Sequence, residues 1–107
     1  LIMKLAPGVN KKLGESIKRL GKIKLALASG FFINNPLARV DILIVGDALN
    51  EKRVASFLSR VEADTGKTLR YVVMNTPEFQ YRMGMFDRFL RDILESPHEK
   101  LINRLKI

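Results

Sequence analysis

Residues that could do chemistry cluster around an apolar segment from Val40 to Val45. Asp41 interrupts this segment with a carboxylate, which is the kind of ligand that a hard metal cation prefers. Arg39 and the Ser29-Gly30 turn suit a phosphate instead, because a guanidinium group and loop amides both bind that anion. In a purely structural alternative, Asp41 is a partly buried acid that pairs with Arg39 or caps a neighbouring backbone group. The sequence leaves both interpretations open.

Cysteine and histidine chemistry is almost absent. The chain of 107 residues has no Cys, which excludes disulfides, Cys-ligated zinc and a thiol nucleophile, and its one histidine, His98, follows Pro97. A two-histidine metal site cannot be built, and we expect His98 to be a loop residue. We predict no catalytic residue, no metal and no cofactor. The most apolar stretch, Leu25 to Ile33, is too short to cross a bilayer and resembles no secretion signal, so a cytoplasmic location is expected.

The excess positive charge lies near the two ends of the sequence. The formal net charge is +8, yet residues 26–96 hold nine basic and nine acidic residues and are neutral. The basic N-terminal part predicts contact with an anionic partner such as nucleic acid, or else a solvated helix face. The candidate phosphate contacts are Lys11, Lys18 and Lys22, which follow one helix face at spacings i, i+7 and i+11, with Lys12 and Arg19 beside them.

Hydrophobic spacing predicts an α/β fold in which helices pack on a small mixed sheet. The segment from Val40 to Val45 is apolar on both faces apart from Asp41, which is typical of a central strand. Residues 31–39 are expected to form a loop, in which Phe31 and Phe32 fit either the core or an exposed patch. The tail, 101–105, fits a fourth strand or a fraying helix. The predicted helices are Asn10–Leu20, Asn50–Asp64 and two that follow the helix start Thr76-Pro77-Glu78 and are separated near Gly84; the predicted strands are Ile23–Ala28, Val40–Val45 and Leu69–Met74.

The stretch from Ala26 to Asp47, ALASGFFINNPLARVDILIVGD, resembles the start of a minimal nucleotidyltransferase domain of the DNA polymerase β superfamily. In that family a strand ends in Gly-Ser, a loop follows, and the next strand opens with Asp-x-Asp. The later order of elements and the run from Phe89 to Leu94 resemble small bacterial and archaeal members, some of them fused to winged-helix regulators. The resemblance covers about residues 22–105 and implies a nucleotidyltransferase-like fold.

The resemblance also implies that catalysis has been lost. Family members carry two carboxylates one residue apart on a strand, where both point to the same side and share two divalent ions. The matching positions here are Arg39 and Asp41, so a cation replaces the first ligand. The strand from Leu69 to Met74 offers no third carboxylate, and the Gly-Ser turn is present only as the reversed Ser29-Gly30. Asp41 alone cannot hold two Mg²⁺ ions.

We therefore expect residues 23–107 to be a catalytically inactive nucleotidyltransferase-like domain, acting as a regulatory or interaction module in a transcriptional regulator. Residues 1–22 would be a basic linker and N-terminal helix, and a DNA-binding domain would precede residue 1. The partner would be nucleic acid, through that helix or the preceding domain, or another protein; no membrane is expected. Two alternatives are a divergent metal-dependent nucleotidyltransferase completed by a partner chain and a nonspecific nucleic-acid-binding module.

Overall fold

Helices and strands alternate along most of the chain. A computed structural model describes the backbone of residues 9–105 and the side chains of residues 11–105. In chain order the elements of this part are α1 Val9–Lys18, β1 Lys22–Ala28, a 3₁₀-helix Gly30–Ile33, β2 Ile42–Asp47, α2 Glu51–Thr65, β3 Tyr71–Met74, α3 Thr76–Gly84, α4 Arg88–Glu95 and β4 Glu99–Asn103.

The strands form one mixed sheet in the order β3-β2-β1-β4. Strand β2 is parallel to β3 and antiparallel to β1, and β1 is antiparallel to β4. The predicted mixed sheet and the central place of β2 are therefore confirmed, and the C-terminal tail forms a strand. Strand β1 shares the centre of the sheet with β2, and every residue from Leu25 to Ala28 in β1 is buried as well.

Helices cover both faces of the sheet, which gives an α/β/α sandwich. Alternate side chains of β1 and β2 point to opposite faces, since successive residues of a strand do so. On one face Ala26 and Ile44 pack in a cluster with α1 and α2; on the other, Leu25 and Leu43 pack with α3 and α4. Phe32 is buried in the first cluster and Phe31 packs against it, so the Phe31-Phe32 pair belongs to the core. No helix in the described range, 9–105, is long and apolar enough to cross a membrane.

The helix ends follow their predicted capping residues, with one exception. The Asn50 side chain accepts hydrogen bonds from the amides of Lys52 and Arg53 at the start of α2, and Gly66 ends that helix with a φ of 68°. Helix α3 is capped by Asn75, whose Oδ1 accepts from Glu78 N at 2.8 Å. The capping oxygen is thus one residue earlier than the Thr76-Pro77-Glu78 start predicted.

Several element boundaries differ from the sequence-based prediction. Helix α1 ends at Lys18, not Leu20, and Lys22 is the first residue of β1. Strand β2 begins at Ile42, not Val40, because Asp41 N and Ile42 N both donate to Arg70 O, at 2.7 and 3.2 Å, and the ladder is irregular there. The predicted loop at 31–39 contains part of the 3₁₀-helix.

Candidate anion-binding site

Asp41 is fully buried at the start of β2, and its carboxylate is occupied by other groups of the chain. Asp41 Oδ1 accepts a hydrogen bond from Phe31 N at 2.8 Å, and Oδ2 accepts one from Arg70 N at 2.9 Å. The Arg70 guanidinium adds an ion pair, with Nη2 3.5 Å from Oδ1. We call these residues, together with Ser29, the Asp41 junction. It joins the 3₁₀-helix, β2 and the residue before β3.

The alternative in which Asp41 caps backbone groups is therefore confirmed, but the predicted pairing with Arg39 is wrong. Arg39 Nε lies 3.0 Å from Asp92 Oδ2 on α4, and the Arg39 side chain is 54% exposed. The partner of Asp41 is Arg70, which is far away in sequence and comes close because β3 lies beside β2.

The Ser29-Gly30 turn supports the Asp41 junction. Ser29 is buried, and its hydroxyl donates to the carbonyl of Pro97 at 3.1 Å. Gly30 has a φ of 54°, and a Cβ at this position would overlap Asp41 Oδ1. The amide of Phe31 is already used by Asp41, and the Arg39 guanidinium is held by α4. Of the four motif positions, Ser29, Arg39 and Asp41 thus have partners inside the protein, and Gly30 has no room for a side chain.

A second polar region lies between α1 and α2, on one face of the sandwich. It is a groove of about 390 Å³ that is lined by four cationic, two hydroxyl and two apolar side chains. We call it the basic groove. Its lining residues are Ser16, Arg19, Leu20, Lys52, Arg53, Ser56, Phe57 and Arg60. None of these eight is acidic.

The four cations of the basic groove have no ion-pair partner among the described residues. The arginines that form ion pairs there are Arg39, Arg70, Arg82 and Arg91, none of which lines the groove. Each groove cation is exposed to solvent. Like charges gathered in a concave surface raise the local positive potential and attract anions. The groove is therefore a positively charged concave surface, and none of its eight lining residues carries a carboxylate.

Helix geometry places the groove residues on facing surfaces. On α2, Lys52, Ser56 and Arg60 recur at i, i+4 and i+8 and so share one side of the helix. Ser16 and Arg19, three residues apart at the end of α1, line the opposite wall. Lys12 is one turn before Ser16 on the same side of α1, so it extends the positive surface beyond the groove.

The cations predicted from the sequence divide between two sides of α1. Lys11, Lys12, Lys18, Arg19 and Lys22 are all exposed, but only Arg19 lines the basic groove. Lys11 and Lys18 are seven residues apart and share another side of α1, which does not line the groove. Lys22 does not continue the helix face at i+11, because the helix ends at Lys18 and Gly21 turns the chain into β1 with a φ of 155°.

Sequence reasoning missed the three cations on α2. Lys52, Arg53 and Arg60 fall in the span 26–96, whose net charge is zero, and so drew no attention. The available signal was the spacing of Lys52, Ser56 and Arg60, which puts two cations and a hydroxyl on one helix side, with Asp64 as the next residue in the same series. Counting charge by helix face, not by sequence window, would have found it.

The remaining candidates from the sequence are His98 and possible metal ligands. His98 is a loop residue, as predicted, and its Nδ1 lies 2.8 Å from the carbonyl oxygen of Ser96. Among the residues that the structure describes, no three His, Cys, Asp or Glu side chains are grouped so that they could hold a metal ion.

Comparisons with protein-family models, with curated proteins and with solved structures found no match to this chain.

Proposed function

We propose that this chain is a noncatalytic α/β module that binds the phosphate backbone of nucleic acid through one basic face. The basic face comprises the cations of the basic groove and Lys12, namely Lys12, Arg19, Lys52, Arg53 and Arg60. The observation that carries the proposal is that four of these cations share one groove and have no ion-pair partner among the described residues. Lys and Arg side chains that neutralise phosphates supply most of nonspecific nucleic-acid binding.

The position of the basic groove separates it from the Asp41 junction. Lys22, the first residue of β1, is paired with Asp47, the last residue of β2. The end of α1 and the start of α2 are therefore both near this end of the two strands. The Asp41 junction lies at the opposite end of these two strands, beyond the pair Ala28 and Ile42. The six-residue step along β1 spans about 20 Å. The start of the groove at Lys52 and Arg53 therefore lies near the strand end opposite the Asp41 junction.

The noncatalytic part of the proposal is supported by the hydrogen bonds of Asp41. Both carboxylate oxygens already accept backbone amides and the side chain is fully buried, so a metal ion could reach it only by displacing groups around it, these amides included. A buried amide that loses its acceptor costs about 1–3 kcal/mol. The divergent nucleotidyltransferase alternative requires this displacement as well as acids from another chain. The resemblance to domains fused to winged-helix regulators supports a setting in which an upstream domain reads sequence and this module adds backbone contacts.

The direct test of the proposal is the salt dependence of nucleic-acid binding. A fluorescently labelled duplex is titrated with the full chain at several salt concentrations, and anisotropy gives the dissociation constant. Five phosphate contacts give a log–log slope near −4.5, at about −0.9 for each contact. The double variant Arg53→Gln/Arg60→Gln should flatten that slope by about 1.8.

A matched control removes two arginines from the opposite face of the sandwich. Arg88 and Arg91 are exposed on α4, which packs on the other side of the sheet. The variant Arg88→Gln/Arg91→Gln changes the net charge by the same amount and should leave the slope unchanged. An equal loss of binding in both double variants would show that net charge acts alone, and would refute the assignment to the basic face.

A second measurement tests the noncatalytic part. The chain is incubated with Mg²⁺ or Mn²⁺, labelled nucleoside triphosphates and candidate acceptors, and we expect no nucleotidyl transfer. Metal-dependent transfer that follows the protein through successive purification steps would contradict this expectation.

A further inference from the structure

The basic groove concentrates more positive charge than one backbone phosphate needs. Four cations surround a volume of about 390 Å³, whereas a phosphodiester carries a single negative charge. A phosphate monoester carries about −1.5 to −2 at pH 7. We infer that the basic groove is a discrete binding site for a phosphate monoester dianion. This inference rests on the proposed function, because both assign anion binding to the same cations.

The side chains of the groove match the shape of such an anion. Arg53 and Arg60 offer planar guanidinium groups that can bind two phosphate oxygens at once, and Lys52 adds a point charge. Ser16 and Ser56 bring one hydroxyl donor from each helix. Arg53 and Arg60 are seven residues apart, or about 10 Å along the helix axis. Long side chains at this separation can meet around one phosphate group.

The apolar floor favours a small ligand held against the protein. Leu20 and Phe57 are nearly buried and lie beneath the cations. A low-dielectric wall strengthens the attraction between an anion and the cations above it. The volume is near the lower end of the range of about 300–1,000 Å³ for small-molecule sites. It suits a single phosphate group with its ester substituent, whereas a duplex would contact the cations from above the groove.

A chemical comparison separates a monoester site from a general attraction to anions. The isotope-labelled full chain is titrated with methyl phosphate or with dimethyl phosphate at constant ionic strength, and NMR shifts of the α1 and α2 amides are followed. We expect saturable shifts with methyl phosphate and binding at least about tenfold weaker for dimethyl phosphate, which has one charge and fewer free oxygens. Equal affinity for the two compounds, or shifts that do not saturate, would overturn the inference.

The pH dependence should come from the ligand. The monoester loses its second proton near pH 6, so binding should strengthen as the pH rises from 5 to 7.5. The eight residues that line the groove include no histidine and no carboxylate. Binding of methyl phosphate that is constant between these pH values would show that the dianion is not the preferred form.

Serine variants give a test that leaves the charge of the protein untouched. Ser56 lines the groove, whereas Ser59 is exposed on the same helix and does not line it. We expect Ser56→Ala to weaken methyl phosphate binding about fivefold to tenfold, in line with the loss of one hydrogen bond to an anion. Ser59→Ala should leave binding unchanged. Equal effects of the two substitutions would count against a built site.

A phosphate monoester can belong to a free small molecule or to the terminal phosphate of a nucleic-acid strand. An oligonucleotide with a terminal phosphate and its hydroxyl-ended counterpart distinguish them. A binding advantage for the phosphorylated strand that disappears in Ser56→Ala identifies the strand end, and no advantage identifies the free phosphate. If methyl phosphate fails to bind while duplex binding keeps its salt slope, only this inference falls. If the duplex also fails to bind, the proposed function falls with it.

Discussion

The Asp41 junction and the basic groove treat charge in opposite ways. Asp41 is fully buried, and two backbone amides and a guanidinium stabilise its carboxylate. The groove cations are exposed, share a concave surface and have no ion pair within the described residues. A buried charge must be satisfied inside the protein, because its desolvation is costly. An exposed cluster of like charge is satisfied by water and counterions and so remains available to a partner. Asp41 therefore stabilises the fold, and the surface that we propose for anion binding lies elsewhere.

The largest effect expected from this contrast is on stability, at Asp41. The substitution Asp41→Asn replaces one oxygen with an amide nitrogen, which would face a backbone N–H donor or the Arg70 guanidinium. We expect the free energy of unfolding to fall by about 3 kcal/mol. Urea denaturation followed by circular dichroism measures it. The control is Asp64→Asn, at an exposed position of α2, which should change stability by less than about 0.5 kcal/mol. Equal stability of the two variants would break the comparison.

A substitution at Gly30 tests whether the backbone conformation next to Asp41 contributes to stability. Gly30→Ala places a Cβ against Asp41 Oδ1 at a residue whose φ is 54°. We expect a loss of about 2 kcal/mol in the free energy of unfolding, from strain and from displacement of the carboxylate. Gly84→Ala is the matched control, because its Cβ would meet no atom within 4 Å. It should be neutral or stabilise by up to about 1 kcal/mol. A tolerated Gly30→Ala would mean that the turn can move away from Asp41.

Substitutions in the basic groove, unlike those at the Asp41 junction, should not lower the stability of the fold. In Arg53→Gln/Arg60→Gln we expect the free energy of unfolding to stay within about 0.5 kcal/mol of the parent value, or to rise at low salt, because two repelling charges are removed. Any gain should shrink as salt is added, since screening already weakens the repulsion. Urea denaturation at two salt concentrations measures both effects. A loss above about 1 kcal/mol would show that these arginines hold the fold together.

The smallest expected effect is the difference between lysine substitutions on the two sides of α1. Lys12→Gln should flatten the salt slope of duplex binding by up to about 0.9, because Lys12 lies on the side of Ser16 and Arg19. Lys11→Gln should flatten it less, because Lys11 lies farther than Lys12 from Ser16 around the helix axis. Equal changes would mean that the helix presents its charge without regard to face. A larger effect at Lys11 would move the basic face to the other side of α1.

Local signals predicted much of the fold. Asn50 and Gly66 bound α2 as expected, because capping depends on residues within one turn of the helix end. The break between α3 and α4 near Gly84 was also predicted. The boundaries of β2 and β3 were less accurate, since Asp41 and Arg70 replace part of the regular ladder with other hydrogen bonds. Such contacts depend on residues that are distant in sequence.

The sequence by itself determined the α/β architecture and the central place of β2, because both follow from hydrophobic spacing. It also indicated that Asp41 is paired or bound, because burying a lone carboxylate is costly. Only the tertiary structure decided that Asp41 meets Arg70 and not Arg39, since the parallel pairing of β2 with β3 brings residues 29 positions apart into contact. It also decided that Arg19 faces Lys52, Arg53 and Arg60 across one groove. A sequence window sums acids and bases that point in different directions, whereas an anion responds to the charges on one surface.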